Sequence, residues 1–179
     1  MSAMHHYRDL ITLFNDTFLA SHNTELVRGD DEPIYLPASV GHERHRIVFA
    51  HGYYASALHE IAHWCLAGAE RRQQVDYDYW YCPDGRNSAQ QQAFEQVEVK
   101  PQAIEWGLCL AAGFRFNVST DNLNGSAEPD RQGFQEKVRT QALHYVAQGF
   151  PVRAGQFMTV LAGFYGQLVP CAADFEVAV

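Results

Sequence analysis

The hydrophobic and polar positions along the chain alternate in ways that predict a mainly helical protein with a few short strands. Leu10, Ile11, Phe14 and Phe18 recur at helical spacing and predict an amphipathic helix over residues 7–19. An acidic, turn-rich stretch, Gly29-Asp30-Asp31-Glu32-Pro33, follows, then a short strand at residues 34–36 that Pro37 ends. Residues 38–45 read as a loop, and the apolar run Ile47-Val48-Phe49-Ala50 reads as a buried strand. That strand leads through His51-Gly52 into a helix over residues 53–66, with Gly68 as its stop. Residues 73–87 alternate acidic and aromatic side chains, as an extended segment would, before the turn Pro83-Asp84-Gly85.

A long helix is predicted over residues 88–112, with Ser88 as N-cap and Gln91 three residues on. Pro101 lies inside it and predicts a kink or a break. Phe116-Asn117-Val118-Ser119 reads as a short extended piece before a loop over residues 121–130. Phe134, Val138, Ala142 and Val146 form one i, i+4 row of a helix over residues 131–148. A last short helix is expected over residues 157–165, and a loosely held tail after Pro170. The fold class expected is α+β: a mainly helical single domain over residues 1–179 with a small sheet.

Composition sharpens this picture. With 179 residues, 47% of them hydrophobic and 13% aromatic, the chain can bury a full core without disulfide staples. No stretch reaches the roughly 20 apolar residues of a membrane span, and the first residues hold His5, His6, Arg8 and Asp9 rather than an apolar signal core. A cytoplasmic setting without membrane association is the default. Cys65, Cys82, Cys109 and Cys171 form no C-x-x-C pair, which argues against a zinc ribbon or a disulfide framework and for buried or half-buried free thiols. The formal charge of −8 disfavours direct nucleic-acid binding and suits a cationic partner.

The chemistry concentrates in one motif, His59-Glu60-Ile61-Ala62-His63. Residues four apart on a helix project from one face, so the two imidazoles can share one metal ion. Glu60 then lies beside the open side of the site, where a carboxylate can hold or deprotonate a metal-bound water. Random placement of the 9 His and 11 Glu gives about 0.03 occurrences of the motif in a chain this long. The surrounding residues, Ala55-Ser56-Ala57-Leu58 and Trp64-Cys65-Leu66-Ala67, make the helix apolar on nearly every face. Buried there, two His and a Glu require polar partners.

Two imidazoles need a third ligand. Glu98, 35 residues beyond His63 and set between Val97 and Val99, is the strongest candidate. Glu95 and Glu105 share its stretch, Asp76 and Asp78 compete from the segment before it, and His42, His45 and His51 are alternatives. Two chemistries stay open on spacing alone: a zinc peptidase or hydrolase with Glu60 as general base, and a non-haem Fe(II) oxygenase with a two-His-one-carboxylate site. The helical motif alone favours the hydrolase.

Several blocks carry a more specific resemblance: GDDEPIYLPA at 29–38, RIVFAHGYYASALHEIAHWCLAG at 46–68, VDYDYWYCPDGR at 75–86, FEQVEVKPQA at 94–103, FNVSTDNL at 116–123 and EPDR at 128–131. Over residues 5–131 the chain resembles the bacterial elongation factor P hydroxylase family, and the resemblance weakens after about residue 140. It implies a metalloprotease-like core whose site uses Fe(II) and molecular oxygen. It further implies hydroxylation of the lysine of translation elongation factor P that already bears a β-lysyl group. On this sequence the family's ligands match His59, His63 and Glu98, and Glu60 matches the second acidic member of the motif. The cationic tip of such a substrate suits the acidic charge, and the segment holding Asp76, Asp78 and Tyr79 is a candidate wall for a long aliphatic cation. Asp30, Asp31 and Glu32 are placed to contribute in the same way.

Overall fold

A computed structural model describes residues 4–76, 85–120 and 130–177. Five helices and a small sheet follow in the order α1 (Tyr7–His22), β1 (Thr24–Arg28), β2 (Ile34–Leu36), β3 (His45–Phe49), α2 (Tyr54–Leu66), α3 (Ser88–Ala112), α4 (Arg131–Gln148) and α5 (Val152–Tyr165). The chain is α+β, as the hydrophobic pattern indicates.

The sheet has the order β1-β3-β2, with β1 parallel and β2 antiparallel to β3. Strand β1 has no counterpart among the strands expected from sequence. Helix α1 runs three residues further than expected and turns at Asn23 (φ 50°) directly into Thr24-Glu25-Leu26-Val27-Arg28. Only Leu26 and Thr24 of that strand are buried, so its pattern is too short and mixed to announce itself. Phe49 leaves the sheet through His51 (φ 54°) and Gly52 (φ 72°), both in the left-handed region, and the chain enters α2 within two residues. A Cβ on Gly52 would lie 3.1 Å from both Arg28 Nε and a Tyr7 ring carbon. This tight turn seats α2 against the sheet.

The core forms where α1, the sheet and α2 meet α3 and α5. Phe14, Phe18, Phe49, Leu58, Ile61, Ile104, Phe157 and Leu161 are all fully buried there. Phe14, Phe18, Trp64 and Phe157 pack as an aromatic cluster with ring centroids 4.9–6.0 Å apart. A second cluster joins α3 to α4 through Trp106, Phe134, Val138 and Ala142, matching the row read from the sequence.

Three boundaries differ from expectation. Helix α3 is capped by Asn87, whose side chain accepts from Gln90 N–H while Gln90 reaches back to the Asn87 N–H. The capping box is therefore one residue earlier than Ser88-Gln91. The helix runs through Pro101 without a break: proline removes one hydrogen bond, but Pro101 is buried and the packing of its neighbours holds the helix together. Helix α5 begins at Val152, right after Pro151, rather than at Phe157. Beyond Pro170 the chain is anchored rather than loose at Phe175, which is fully buried and whose carbonyl accepts from Arg139 Nε at 2.8 Å. Residues 116–119 belong to no strand. Among the described cysteines, Cys65 and Cys109 are buried free thiols while Cys171 is exposed; Cys82 and most of the Pro83-Asp84-Gly85 turn lie outside the described residues.

Candidate metal centre

The site is built from two helices. Helix α2 buries Ala57, Leu58, Ile61, Ala62, Trp64 and Cys65, which leaves His59 and His63 one turn apart on its remaining face. The end of α2 is held by α5: the Arg153 guanidinium donates to the carbonyls of Cys65 and Ala67 and lies 4.5 Å from the Trp64 ring centroid. Helix α3 crosses beneath the histidines and presents Glu98, Gln102 and Glu105, which share a face at i, i+4 and i+7.

The side chains of His59, His63 and Glu98 converge. The two Nε2 atoms are 3.2 Å apart, Glu98 Oε1 lies 3.0 Å from His63 Nε2, and Glu98 Oε2 lies 3.7 Å from His59 Nε2. One ligand atom from each lies within 4.8 Å of the others, the group among the described residues that could hold a metal ion. The spacing fits that role, because two nitrogens about 2.1 Å from a shared ion sit roughly 3 Å apart. The chemistry fits as well. His59 Nδ1 is 2.8 Å from Glu105 Oε2; with the proton on Nδ1, it donates to that carboxylate and Nε2 keeps a free lone pair aimed into the centre.

Glu98 is only 3% exposed. Burial pushes its carboxyl upward, but the imidazoles of His63 and His59 and the Gln102 amide outweigh burial and hold it down at about 2. An ionised, buried carboxylate facing two imidazoles is the electrostatic preparation a cation needs. Glu60 is 7% exposed and borders two spaces. One is a cleft of about 550 Å³ lined by His59, Glu60 and Glu105 together with Asp31, Glu32, Pro33, Ala55, Asn117 and Ser119. The other, about 30 Å³, lies on the His63 side against Tyr35, Ile47 and Trp64. It has room for little more than a water or two.

The remaining sequence candidates sit elsewhere. His51 faces Asp31 at 3.5 Å, His42 faces Glu25 at 3.7 Å, and His45 Nδ1 accepts from Ala38 N–H; none of the three joins the cluster. Glu95 is half-buried on α3 and outside it. Asp76 pairs through its backbone with Tyr35 of β2, and both its carboxylate oxygens accept from Arg71, at 2.9 and 3.0 Å. It borders the small space behind His63. Asp78 and Tyr79 lie outside the described residues. The sequence reading named Glu105 only as a neighbour of Glu98 and did not single out Gln102, although the i, i+4, i+7 spacing from Glu98 carries the signal for both.

Against known proteins, a family model described as elongation factor P hydroxylase matches residues 13–175. The chain belongs to the elongation factor P hydroxylase family. The elongation factor P lysine hydroxylase of Haemophilus influenzae is 52% identical over 161 residues, 90% of each chain. Likeness to this hydroxylase family thus extends well past residue 140, through α4 and α5 to the anchored Phe175. Among the described residues, no helix is long and apolar enough to cross a membrane.

Proposed function

We propose that this protein is a metal-dependent hydroxylase that acts in the cytoplasm on the β-lysylated lysine of elongation factor P. Family membership supports the reaction class, and one structural observation carries the reading: a two-His-one-carboxylate cluster whose His59 lines an acidic cleft. His59, His63 and Glu98 would hold Fe(II). Ferrous iron with molecular oxygen supplies the oxidising power needed to replace a C–H bond by C–OH. The balance is one O2, two electrons and two protons from an external reductant, giving the hydroxyl group and one water.

The chain's own residues do the rest. Asp31 and Glu32 draw the cationic amines of the extended lysine into the cleft, and Pro33, Ala50 and Ala55 offer apolar contact to its methylenes. Asp76, Asp78 and Tyr79 are proposed to contribute to substrate binding. Glu105 keeps the proton of His59 on Nδ1, so that Nε2 stays a ligand. Glu60 borders the same cleft as His59, which supports a role in accepting and returning a proton at its carboxylate oxygens.

The test is mass analysis of β-lysylated elongation factor P after incubation with the Fe(II)-loaded enzyme, oxygen and a reductant. A gain of one oxygen atom is expected, lost in His59→Ala and Glu98→Ala. An unchanged mass with fully metallated wild-type enzyme refutes the hydroxylase. Peptide cleavage by the zinc-loaded protein, abolished in Glu60→Gln, would establish the hydrolase instead.

A further inference from the structure

Gln102 takes no part in the chemistry above, yet its side chain is fully buried, one turn of α3 from Glu98. Its amide Nε2 donates to Glu98 Oε2 at 3.1 Å and to the Ser119 carbonyl at 2.9 Å, while Oε1 accepts the Ser119 N–H at 3.0 Å. Ser119 fixes which way the amide points. Its N–H needs the amide oxygen and its carbonyl needs the amide nitrogen, so only one orientation satisfies both. That orientation leaves the second amide hydrogen for Glu98, which as a carboxylate can only accept.

The segment so held is a wall of the cleft, where Asn117 and Ser119 line the space beside His59 and Glu60. It is tied to α3 again at Thr120, whose carbonyl accepts from Gln91 Nε2 at 3.2 Å. One buried amide therefore touches both the carboxylate of the metal centre and the backbone of the substrate cleft.

We infer that Gln102 is a positioning residue that couples the cleft wall to the metal centre. The inference rests on the reading of His59, His63 and Glu98 as metal ligands. A bound ion holds the Glu98 carboxylate in one orientation, which steadies the Gln102 amide and, through it, Ser119. Linkage then works in reverse: whatever presses the wall onto α3 tightens the ion. A residue that merely pinned the segment to the helix would do so equally with and without metal.

Hydrogen exchange at the Ser119 amide, measured on the full chain with and without saturating Co(II), reads this coupling directly. Metal is expected to slow Ser119 exchange at least tenfold while leaving the Ala142 amide in α4 unchanged. Equal Ser119 exchange in both states of the wild-type protein overturns the inference, and that comparison needs no variant to fold. Gln102→Glu keeps an oxygen for the Ser119 N–H but turns a second carboxylate toward Glu98. It is expected to abolish the metal dependence of Ser119 exchange and to lower Co(II) affinity ten- to a hundredfold in competition with a chromophoric chelator. Retention of both overturns the inference. Failure of the ligand reading itself would appear separately, as undiminished Co(II) affinity in His59→Ala, and would take this inference with it.

Discussion

Replacing Glu105 probes the candidate metal centre without touching a proposed ligand. The carboxylate is 8% exposed and lies 2.8 Å from His59 Nδ1. A hydrogen bond to a charged group contributes about 1.5–3 kcal/mol, and a neutral one roughly half that. In Glu105→Gln the amide oxygen can still accept the Nδ1 proton, so about 1 kcal/mol of metal-binding free energy is lost, or about a fivefold to tenfold weaker site. In Glu105→Ala the partner is gone and His59 is free to carry its proton on Nε2, the atom aimed at the ion. The expected loss there is ten- to a hundredfold, about 1.4–2.7 kcal/mol. The assay is Co(II) titration of the metal-free protein against a chromophoric chelator, with urea unfolding to check the fold. Glu95→Ala, on the same helix but outside the cluster, is the control and should bind as wild type does. Glu105→Ala binding Co(II) within twofold of wild type would refute the claim that Glu105 sets the His59 tautomer.

Other consequences are equally open to measurement. Because Glu98 is held near 2 in the folded protein against an ordinary 4.5, its ionised form stabilises the metal-free fold above about pH 4.5, and that stability is lost as pH falls from 4.5 towards 2; Glu98→Gln should flatten the dependence of urea midpoint on pH in that window, and an unchanged slope would contradict the assignment. Arg153→Leu removes the donor to the Cys65 and Ala67 carbonyls and the cation over Trp64, and should lower unfolding free energy by about 2 kcal/mol, read by chemical denaturation. Phe14→Ala empties the centre of the aromatic cluster and should cost about 3–5 kcal/mol; a loss under 1 kcal/mol would mean the cluster collapses to fill the space.

What could be read from the chain follows the range of the interactions. The motif on α2 is local, so helical geometry alone put His59 and His63 on one face. The apolar residues flanking Glu98 suggest an inward-facing side chain, and the structure gives a different reason for its burial. Val97 is 40% exposed, as expected when successive helical residues point about 100° apart. What buries Glu98 is the packing of α3 under α2, which no window of sequence contains. Strand β1 escaped notice for a related reason: its five residues gain their place from parallel pairing with β3, seventeen residues of chain away from its end. At Pro101 the local rule about helix breaking yields to burial: α3 continues through it, and Pro101 and the residues that follow it to Cys109 are buried. The wider blocks of resemblance, rather than periodicity, separated oxidative from hydrolytic chemistry.

The division of the cluster between α2 and α3 bears on the order in which the protein is made. His59 and His63 leave the ribosome well before Glu98, Gln102 and Glu105, so a nascent chain ending ahead of α3 carries two imidazoles and no carboxylate to complete them. Under the proposed ligand set, such a chain would hold a divalent ion weakly and exchange it freely. Selection of the ion would then wait for the docking of α3, which brings the buried Glu98 and the Glu105 partner of His59 to the site together. With half of the proposed centre on a later helix, metal loading would be a late event in biogenesis, guarding the unfinished protein against committing early to the wrong cation.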